Sequence, residues 1–174
     1  MAMLVSFNKT TRYFFLALIA MSVTACGFHL RGQVAIPQAL KTITLTSDAK
    51  SNTFNTSLRI ALSRAGVNVV DPKDAGDDVL ELKVNAITTS DTVLARNSSN
   101  DITQIERRMS TSYFIRQEDG KSLYGPRTVS TSKTLSNQNS EESTKAAYNQ
   151  SKEEDMSEEL ANQLIYDLGY APLK

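Results

Sequence analysis

The sequence is poor in the residues on which most catalytic and metal sites depend. Its 174 residues include one cysteine, one histidine and no tryptophan. One cysteine cannot form an internal disulfide or a cysteine-based zinc site, and one histidine cannot supply a multi-histidine metal centre. With only seven glycines, the chain also has no glycine-rich phosphate loop. These absences remove most of the familiar enzyme architectures.

An excess of positive charge is also missing. Nineteen Lys and Arg balance nineteen Asp and Glu, so the formal net charge is zero. A nucleic-acid-binding protein needs a basic face that releases counterions from phosphates, and the balanced charge argues against that class. The length suits one ordinary domain.

No apolar run near the start of the sequence is long enough to span a bilayer, which takes about 20 residues. The run 13–21 is short, and Lys9 and Arg12 precede it. A positive flank, a short apolar core and small residues after it are typical of a secretory signal peptide.

The end of this segment predicts lipidation. The sequence Val23-Thr24-Ala25-Cys26 resembles the bacterial lipobox, in which the chain is cut before a cysteine that is then acylated. We therefore expect residues 1–25 to be a cleaved lipoprotein signal peptide and Cys26 to be the lipidation site. The alternative is an ordinary signal peptide cut near Ala25, which would leave a free thiol.

The remaining chain divides into a short tether and one domain. We expect residues 26–40 to form a lipidated tether and residues 41–174 to form a periplasmic domain held to the membrane by acyl chains. In the lipoproteins that this sequence resembles, an aspartate after the cysteine favours the inner membrane. Gly27 therefore implies the outer membrane.

The first part of the domain is predicted to contain three strands and a helix. Strands are expected at 41–47 and 67–70. Residues 79–87 alternate between apolar and polar side chains, as a half-buried strand does, and the pattern can extend to Leu94. The helix between the first two strands is indicated by apolar residues at a 3.6-residue period, with a cap at Ser51 or Asn52 and Gly66 past its end. Its apolar face comprises Phe54, Leu58, Ala61, Leu62 and Ala65.

Two long strands and a second helix follow. Strands are predicted at 102–116 and 122–135, joined by the Asp119-Gly120 hairpin signal. Near Gly125-Pro126 the pattern predicts either a bulge or the end of the strand. A long helix then extends to about Leu168, where Gly169 and Pro172 end it. The buried face of its second half comprises Met156, Leu160, Ala161, Leu164, Ile165 and Leu168.

This order of elements favours an α+β fold. We expect a two-layer sandwich, in which a mostly antiparallel or mixed four-stranded sheet carries both helices on one face.

Candidate catalytic residues are few. His29 lies in the segment before the predicted domain. A catalytic histidine needs a nucleophile and an orienting acid in fixed geometry, and a tether is poorly suited to hold them. The acidic runs Asp77-Asp78 and 153–155 are more typical of solvated faces than of metal sites. The sequence therefore predicts that the protein is not an enzyme and has no cofactor or metal.

Two features are unusual for an inert domain. The segment 27–32 places aromatic, imidazole, aliphatic and guanidinium groups directly after the lipidated cysteine, whereas passive tethers are usually polar and plain. Four arginines also occur on the long strands and their turn, and guanidinium groups match phosphate in forked pairs. They are Arg96, Arg107, Arg108 and Arg116. Solubility of exposed strands would explain these arginines equally well.

The lipobox cysteine followed by Gly-Phe-His-Leu-Arg-Gly resembles the N-terminus of the LptE (RlpB) family of lipopolysaccharide-assembly lipoproteins, and the order of elements is similar too. The resemblance implies a plug in the large outer-membrane β-barrel LptD, in a one-to-one complex that inserts lipopolysaccharide into the outer leaflet. It also implies help in folding that barrel and direct binding of lipopolysaccharide.

The resemblance also implies site residues. The docking segment for the barrel would be Gly27, Phe28, His29, Leu30 and Arg31. The residues for lipopolysaccharide would be Arg96, in an exposed basic turn, and Lys152, early in the last helix. The alternatives are another outer-membrane lipoprotein that binds a periplasmic ligand or scaffolds a complex, and a lipid-anchored hydrolase, for which the sequence offers no candidate pair of titratable groups.

Overall fold

The computed structural model describes residues 34–76, 78–136 and 142–173, and the account below concerns these residues. Six strands, two α-helices and one 3-10 turn make up this part of the chain. In chain order they are the turn Gln38–Leu40, β1 Thr42–Ser47, α1 Asn52–Arg64, β2 Asn68–Val70, β3 Leu80–Val84, β4 Thr88–Arg96, β5 Ile102–Arg116, β6 Ser122–Ser136 and α2 Glu142–Leu168.

The ends of α1 follow from local sequence. The Ser51 hydroxyl accepts a hydrogen bond from the Phe54 amide at 3.2 Å, which satisfies one of the unpaired donors of the first turn. Beyond the helix, Gly66 adopts a φ of 74°, a conformation that glycine takes without strain. Both predicted ends of this helix are confirmed.

The six strands form one mixed sheet. Strand β1 lies between β2 and β3 and is parallel to both, whereas β3, β4 and β6 are antiparallel to β5. Because β6 pairs along one edge of β5, β3 and β4 share the other edge. There, β3 pairs with Tyr113–Arg116 and β4 pairs with the stretch from Ile102 to Ser110.

The predicted α+β fold class, with both helices packed on one face of the sheet, is confirmed, but the sheet has six strands and not four. The difference has two sources. The short strand predicted at 67–70 pairs with β1 and so joins the sheet as β2, and residues 85–87 interrupt the long alternating segment that the sequence predicts, so that it becomes β3 and β4.

The core lies between the helices and one face of the sheet. The predicted helical stripes are buried there, apart from Ala65, which follows the end of α1 and is half-buried, and Leu160, Leu164 and Leu168 of α2 are fully enclosed. From the sheet, Ile43, Leu82 and Ile115 complete the same cluster.

The break at Gly125-Pro126 is a bulge within β6. Arg127 pairs with Tyr113 and Tyr124 pairs with Ile115, so two residues of β6 lie opposite Phe114. A Cβ atom at position 125 would lie 2.6 Å from the carbonyl oxygen of Tyr113, which explains why glycine occurs there.

Candidate functional site

The turn between β4 and β5 is built around one asparagine. The Asn97 side-chain oxygen accepts hydrogen bonds from the amides of Ser99 and Asp101, both at 2.9 Å. Its amide nitrogen donates to the Asp101 carboxylate at 3.1 Å, and Asn100 has a φ of 69°. An asparagine bonded to the backbone two residues ahead is a common way to hold a tight turn.

This turn fixes the guanidinium of Arg96. Its Nη1 donates to the carbonyl oxygen of Asn100 at 2.8 Å, and the residue is exposed. Within the described residues, Arg96 forms no ion pair. A guanidinium has five donors, so most of them remain available for an anionic ligand.

Apolar side chains lie next to this cation in sequence. Val93 and Leu94 on β4 are 42% and 51% exposed, and both precede Arg96 by only two or three residues. A guanidinium two or three residues along the chain from exposed aliphatic groups suits a molecule that carries both a phosphate and hydrocarbon.

Lys152 is less available than Arg96. It lies on α2, where its Nζ is 3.4 Å from the Asp155 carboxylate and 5.5 Å from the centre of the Tyr148 ring. Part of its charge is therefore already compensated, by partners that lie on α2 itself.

Two of the four arginines on the strands form ion pairs with carboxylates. Arg107 forms a forked pair with Asp91, at 2.8 and 2.7 Å, and a further ion pair with Glu153 of α2. Arg116 forms a forked pair with Glu81, at 2.6 and 3.0 Å. These hydrogen bonds hold the pKa values of Asp91 and Glu81 below their ordinary ranges. The arginines on the two strands therefore differ in role: Arg107 and Arg116 join elements of the fold.

Arg108 is in a different situation. Its Nη2 donates to the Ser130 hydroxyl at 2.8 Å, and it forms no ion pair in the described part of the chain. It lies on the face of the sheet opposite to the helices, because its neighbours Arg107 and Met109 point toward them.

A polar network that the sequence analysis did not single out joins β5, β6 and α2. The Tyr113 hydroxyl donates a hydrogen bond to the Asp167 carboxylate at 2.8 Å. Two nitrogens of Arg127 donate to the same carboxylate at 2.8 and 3.1 Å. Burial raises the pKa of Tyr113, whereas the bonds from Arg127 lower the pKa of Asp167. The buried phenol therefore stays protonated and the carboxylate stays charged, an arrangement that fixes α2 on the sheet.

Two kinds of site are not found in the described ranges. Residues 34–76, 78–136 and 142–173 contain no group of three or more His, Cys, Asp or Glu side chains placed to hold a metal ion. Within the same ranges, no helix has both the length and the apolar character to cross a bilayer.

Several predicted site residues lie outside the described part of the chain. These are Cys26, Gly27, Phe28, His29, Leu30 and Arg31, together with the signal segment 1–25 and most of the tether. Their predicted roles stay predictions.

Comparison with known proteins finds a family model that matches the chain and solved structures that share its fold. A family model described as LptE, lipopolysaccharide-assembly, matches residues 40–168, which is most of the chain.

Solved structures of lipoproteins share the fold at low identity. A minor lipoprotein from Acinetobacter baumannii is 20% identical with a TM-score of 0.65, covering 76% of this chain and 93% of that chain. Rare lipoprotein B from Shewanella oneidensis is 13% identical with a TM-score of 0.62, covering 73% of this chain and 92% of that one. Lipoprotein B from Nitrosomonas europaea is 17% identical with a TM-score of 0.63, covering 82% and 90%. At these identities the likeness establishes the two-layer architecture.

Proposed function

Because the chain belongs to the LptE family of lipopolysaccharide-assembly proteins, we propose that it is an outer-membrane lipoprotein that plugs the LptD β-barrel. In this role it assists assembly of the barrel, which inserts lipopolysaccharide into the outer leaflet. Family membership gives the chain its part in lipopolysaccharide assembly, and the match over residues 40–168 is the observation that carries the proposal.

The membrane anchor in this proposal is Cys26. Cleavage before this residue would leave a tether, residues 26–40, and a periplasmic domain, residues 41–174. The end of the tether packs on that domain, because Ile36 and Leu40 are buried in its core. Two or more acyl chains on one cysteine hold a protein stably to a bilayer, whereas a single chain exchanges. Gly27 is consistent with retention in the outer membrane.

The surface of the domain supports the role of a plug. The lumen of a large outer-membrane barrel is polar, and a body that fills it needs a polar exterior and a fixed shape. The sheet face opposite the helices carries hydroxyl groups and charged side chains, among them Ser110, Ser112 and Arg108, while the apolar core lies on the other face. No step of this role requires a catalytic group, and we propose that the protein is not an enzyme.

Direct binding of lipopolysaccharide is assigned to the turn that carries Arg96. The guanidinium would pair with a phosphate of lipid A, and Val93 and Leu94 would lie against hydrocarbon. Lys152 would contribute a second cation, more weakly because Asp155 and Tyr148 already contact it.

Contact with the barrel is assigned in part to the tether. Phe28 and Leu30 offer apolar surface, His29 and Arg31 offer donors, and Gly27 allows close approach of the backbone. If the protein were another kind of periplasmic ligand-binding or scaffolding lipoprotein, these positions would tolerate substitution.

The partner is tested by purification from the native outer membrane. The full-length, lipidated protein carrying a C-terminal tag is extracted in mild detergent, and the partners are identified and quantified by mass spectrometry. We expect one large β-barrel at one-to-one stoichiometry. Recovery of the protein alone, or with a soluble periplasmic partner, would contradict the proposal.

Matched variants locate the contact in the same experiment. Phe28→Ala and Arg31→Ala are expected to lower recovery of the barrel, whereas Lys50→Ala, an exposed residue between β1 and α1, leaves it unchanged. Equal recovery with all three variants would remove the tether from the interface while leaving the identity of the partner intact.

Binding of lipopolysaccharide is tested with Arg96→Asp in the full-length protein. A charge-assisted hydrogen bond contributes about 1.5–3 kcal/mol, so the variant should bind labelled lipopolysaccharide at least about tenfold more weakly. Lys121→Asp makes the same charge change in the exposed turn between β5 and β6 and serves as the control. Unchanged affinity of Arg96→Asp would exclude the proposed phosphate contact.

A further inference from the structure

The outer edge of β6 is a long row of backbone groups without a neighbouring strand. In the described part of the chain, β6 pairs with β5 and with no other strand. From Arg127 to Ser136, ten consecutive residues keep one unbroken register with β5. The outward N–H and C=O groups of such a stretch form a ready template for another strand.

A groove runs beside this edge. It is a shallow groove, open to solvent, with a volume of about 840 Å³, and it is lined by residues of β6 and α2, including Ser130, Lys133 and Glu158. No residue of β5 lines it, so it lies on the side of β6 that faces away from the rest of the sheet. An added strand, about 4.8 Å from its neighbour, would occupy this position.

The wall that α2 contributes to the groove is acidic. Asp155, Glu158, Glu159 and Asp167 line it, against one lysine from β6, Lys133. Lys133 pairs with Glu159 at 3.0 Å, Lys152 with Asp155 at 3.4 Å, and Arg127, at the start of the β6 stretch, with Asp167 at 2.8 Å. Glu158 forms no ion pair within the described residues, so it is the carboxylate of this wall whose charge is left for a cation of an added strand.

The spacing of these carboxylates suits a strand. Asp155 and Glu159 are four residues apart on a helix, a rise of about 6.0 Å, and alternate residues of a strand are about 6.8 Å apart. Where an added strand runs along α2, every second side chain would therefore lie near a successive turn of the helix. Cations at those positions would complement the wall.

The other free edges of the sheet lack this combination, and one of them, β2, has only three residues. Strand β4 also pairs only with β5, but its register shifts between Val93 and Arg96. Its residues are almost all exposed, so little of the strand is held by the core. The edge of β6 is therefore the better template.

We propose that the outer edge of β6, over residues 127–136, accepts an extended segment of another polypeptide as a further antiparallel or parallel strand, with Lys or Arg at alternate positions facing α2. Backbone hydrogen bonds supply the affinity, and the acidic wall selects the side chains, as in other complexes formed by strand addition. This inference does not depend on the proposed role in lipopolysaccharide assembly.

A synthetic peptide tests the site directly. The probe is a blocked, fluorescent peptide of alternating threonine and lysine, as long as the stretch 127–136. It is titrated against the full-length protein in nonionic detergent and followed by fluorescence anisotropy. We expect saturable binding of this peptide and no binding of a threonine–glutamate peptide of equal length. Equal binding of the two peptides, or no saturable binding of either, would overturn the proposal.

Backbone methylation separates strand pairing from simple charge attraction. In an added strand, alternate residues direct their N–H groups toward the neighbouring strand. Two peptides are compared: one is methylated on the backbone nitrogen of every threonine, and the other on that of every lysine. One of these peptides should therefore lose binding, and the other should keep it. Equal affinity of both methylated peptides and the parent would overturn the assignment to the strand edge.

A charge-reversal variant locates the site on the protein. Glu158→Lys should weaken binding of the threonine–lysine peptide by roughly three- to tenfold, since it replaces an attraction by a repulsion. Glu118→Lys makes the same change in the exposed turn between β5 and β6 and should leave the affinity unchanged. Equal effects of the two variants would place the peptide elsewhere. Self-association of the chain that Glu158→Lys abolishes would make a second copy the occupant and overturn the choice of partner.

Discussion

The two ends of the sheet are built in different ways. One end, here called the base, comprises β1, β2, β3, α1, the end of β5 from residue 111 onward and the second half of α2. The other end, here called the arm, comprises β4 and the stretches of β5 and β6 that pair beside it. The twelve largest fully buried side chains all lie in the base or in the turn before β1.

The arm is held mainly by backbone pairing and polar contacts. Strand β4 has no buried residue, and the arm contributes only Met109, Thr131 and Leu135 to the interior. Arg107 joins β5 to β4 through Asp91 and to α2 through Glu153, and these acidic side chains are 37% and 51% exposed. The comparison indicates that the base supplies the stability of the fold, whereas the arm presents surface for binding.

The largest expected effect is the loss of a buried leucine from the base. Leu160→Ala removes a fully enclosed side chain while keeping a good helix former on α2, so the cost comes from burial and from the cavity. We expect the free energy of unfolding to fall by about 2–5 kcal/mol. Urea titration of the full-length protein, followed by far-ultraviolet circular dichroism, measures the change.

The matched change in the arm is Leu94→Ala. Leu94 is half exposed on β4, so its truncation should cost less than about 1 kcal/mol. If Leu160→Ala and Leu94→Ala lowered the free energy of unfolding equally, the conclusion that the base stabilises the fold and the arm supplies surface for binding would be wrong.

The same division explains what the sequence could and could not predict about the fold. The second half of α2 was predicted residue by residue because its period is local and its whole stripe is buried. Strand β4 was only an uncertain extension of the preceding strand. An exposed strand has no buried face, so alternation of apolar and polar residues cannot mark where it begins.

The candidate site shows a similar limit. The positions of the four arginines were clear from the sequence, but which of them have acidic partners was not. The pair Asp91–Arg107 could have been found, because both residues lie eight positions from Ser99 at the centre of the hairpin. The contacts of Arg107 with Glu153 and of Arg127 with Asp167 span 46 and 40 residues and depend on how α2 lies on the sheet. No local pattern encodes that placement.

A smaller effect should distinguish the two arginine–aspartate networks. Asp167 in the base accepts bonds from the buried Tyr113 hydroxyl and from Arg127, so Asp167→Asn is expected to cost roughly 1–2 kcal/mol. Asp91 in the arm has a similar forked arginine but no buried partner, and Asp91→Asn should cost about 0.2–1 kcal/mol. The same urea titration at neutral pH measures both values.

Acid should remove the contribution of Asp167. Because its pKa is lowered in the folded protein, the folded state binds fewer protons than the unfolded state near the ordinary pKa of an aspartate, about 3.9. The stabilisation is complete above that value and is lost as the pH falls through the lower, folded pKa. The difference in unfolding free energy between the wild type and Asp167→Asn should therefore shrink below about pH 4. A difference that stays constant across this range would mean that the shape of the side chain, and not its charge, joins α2 to the sheet.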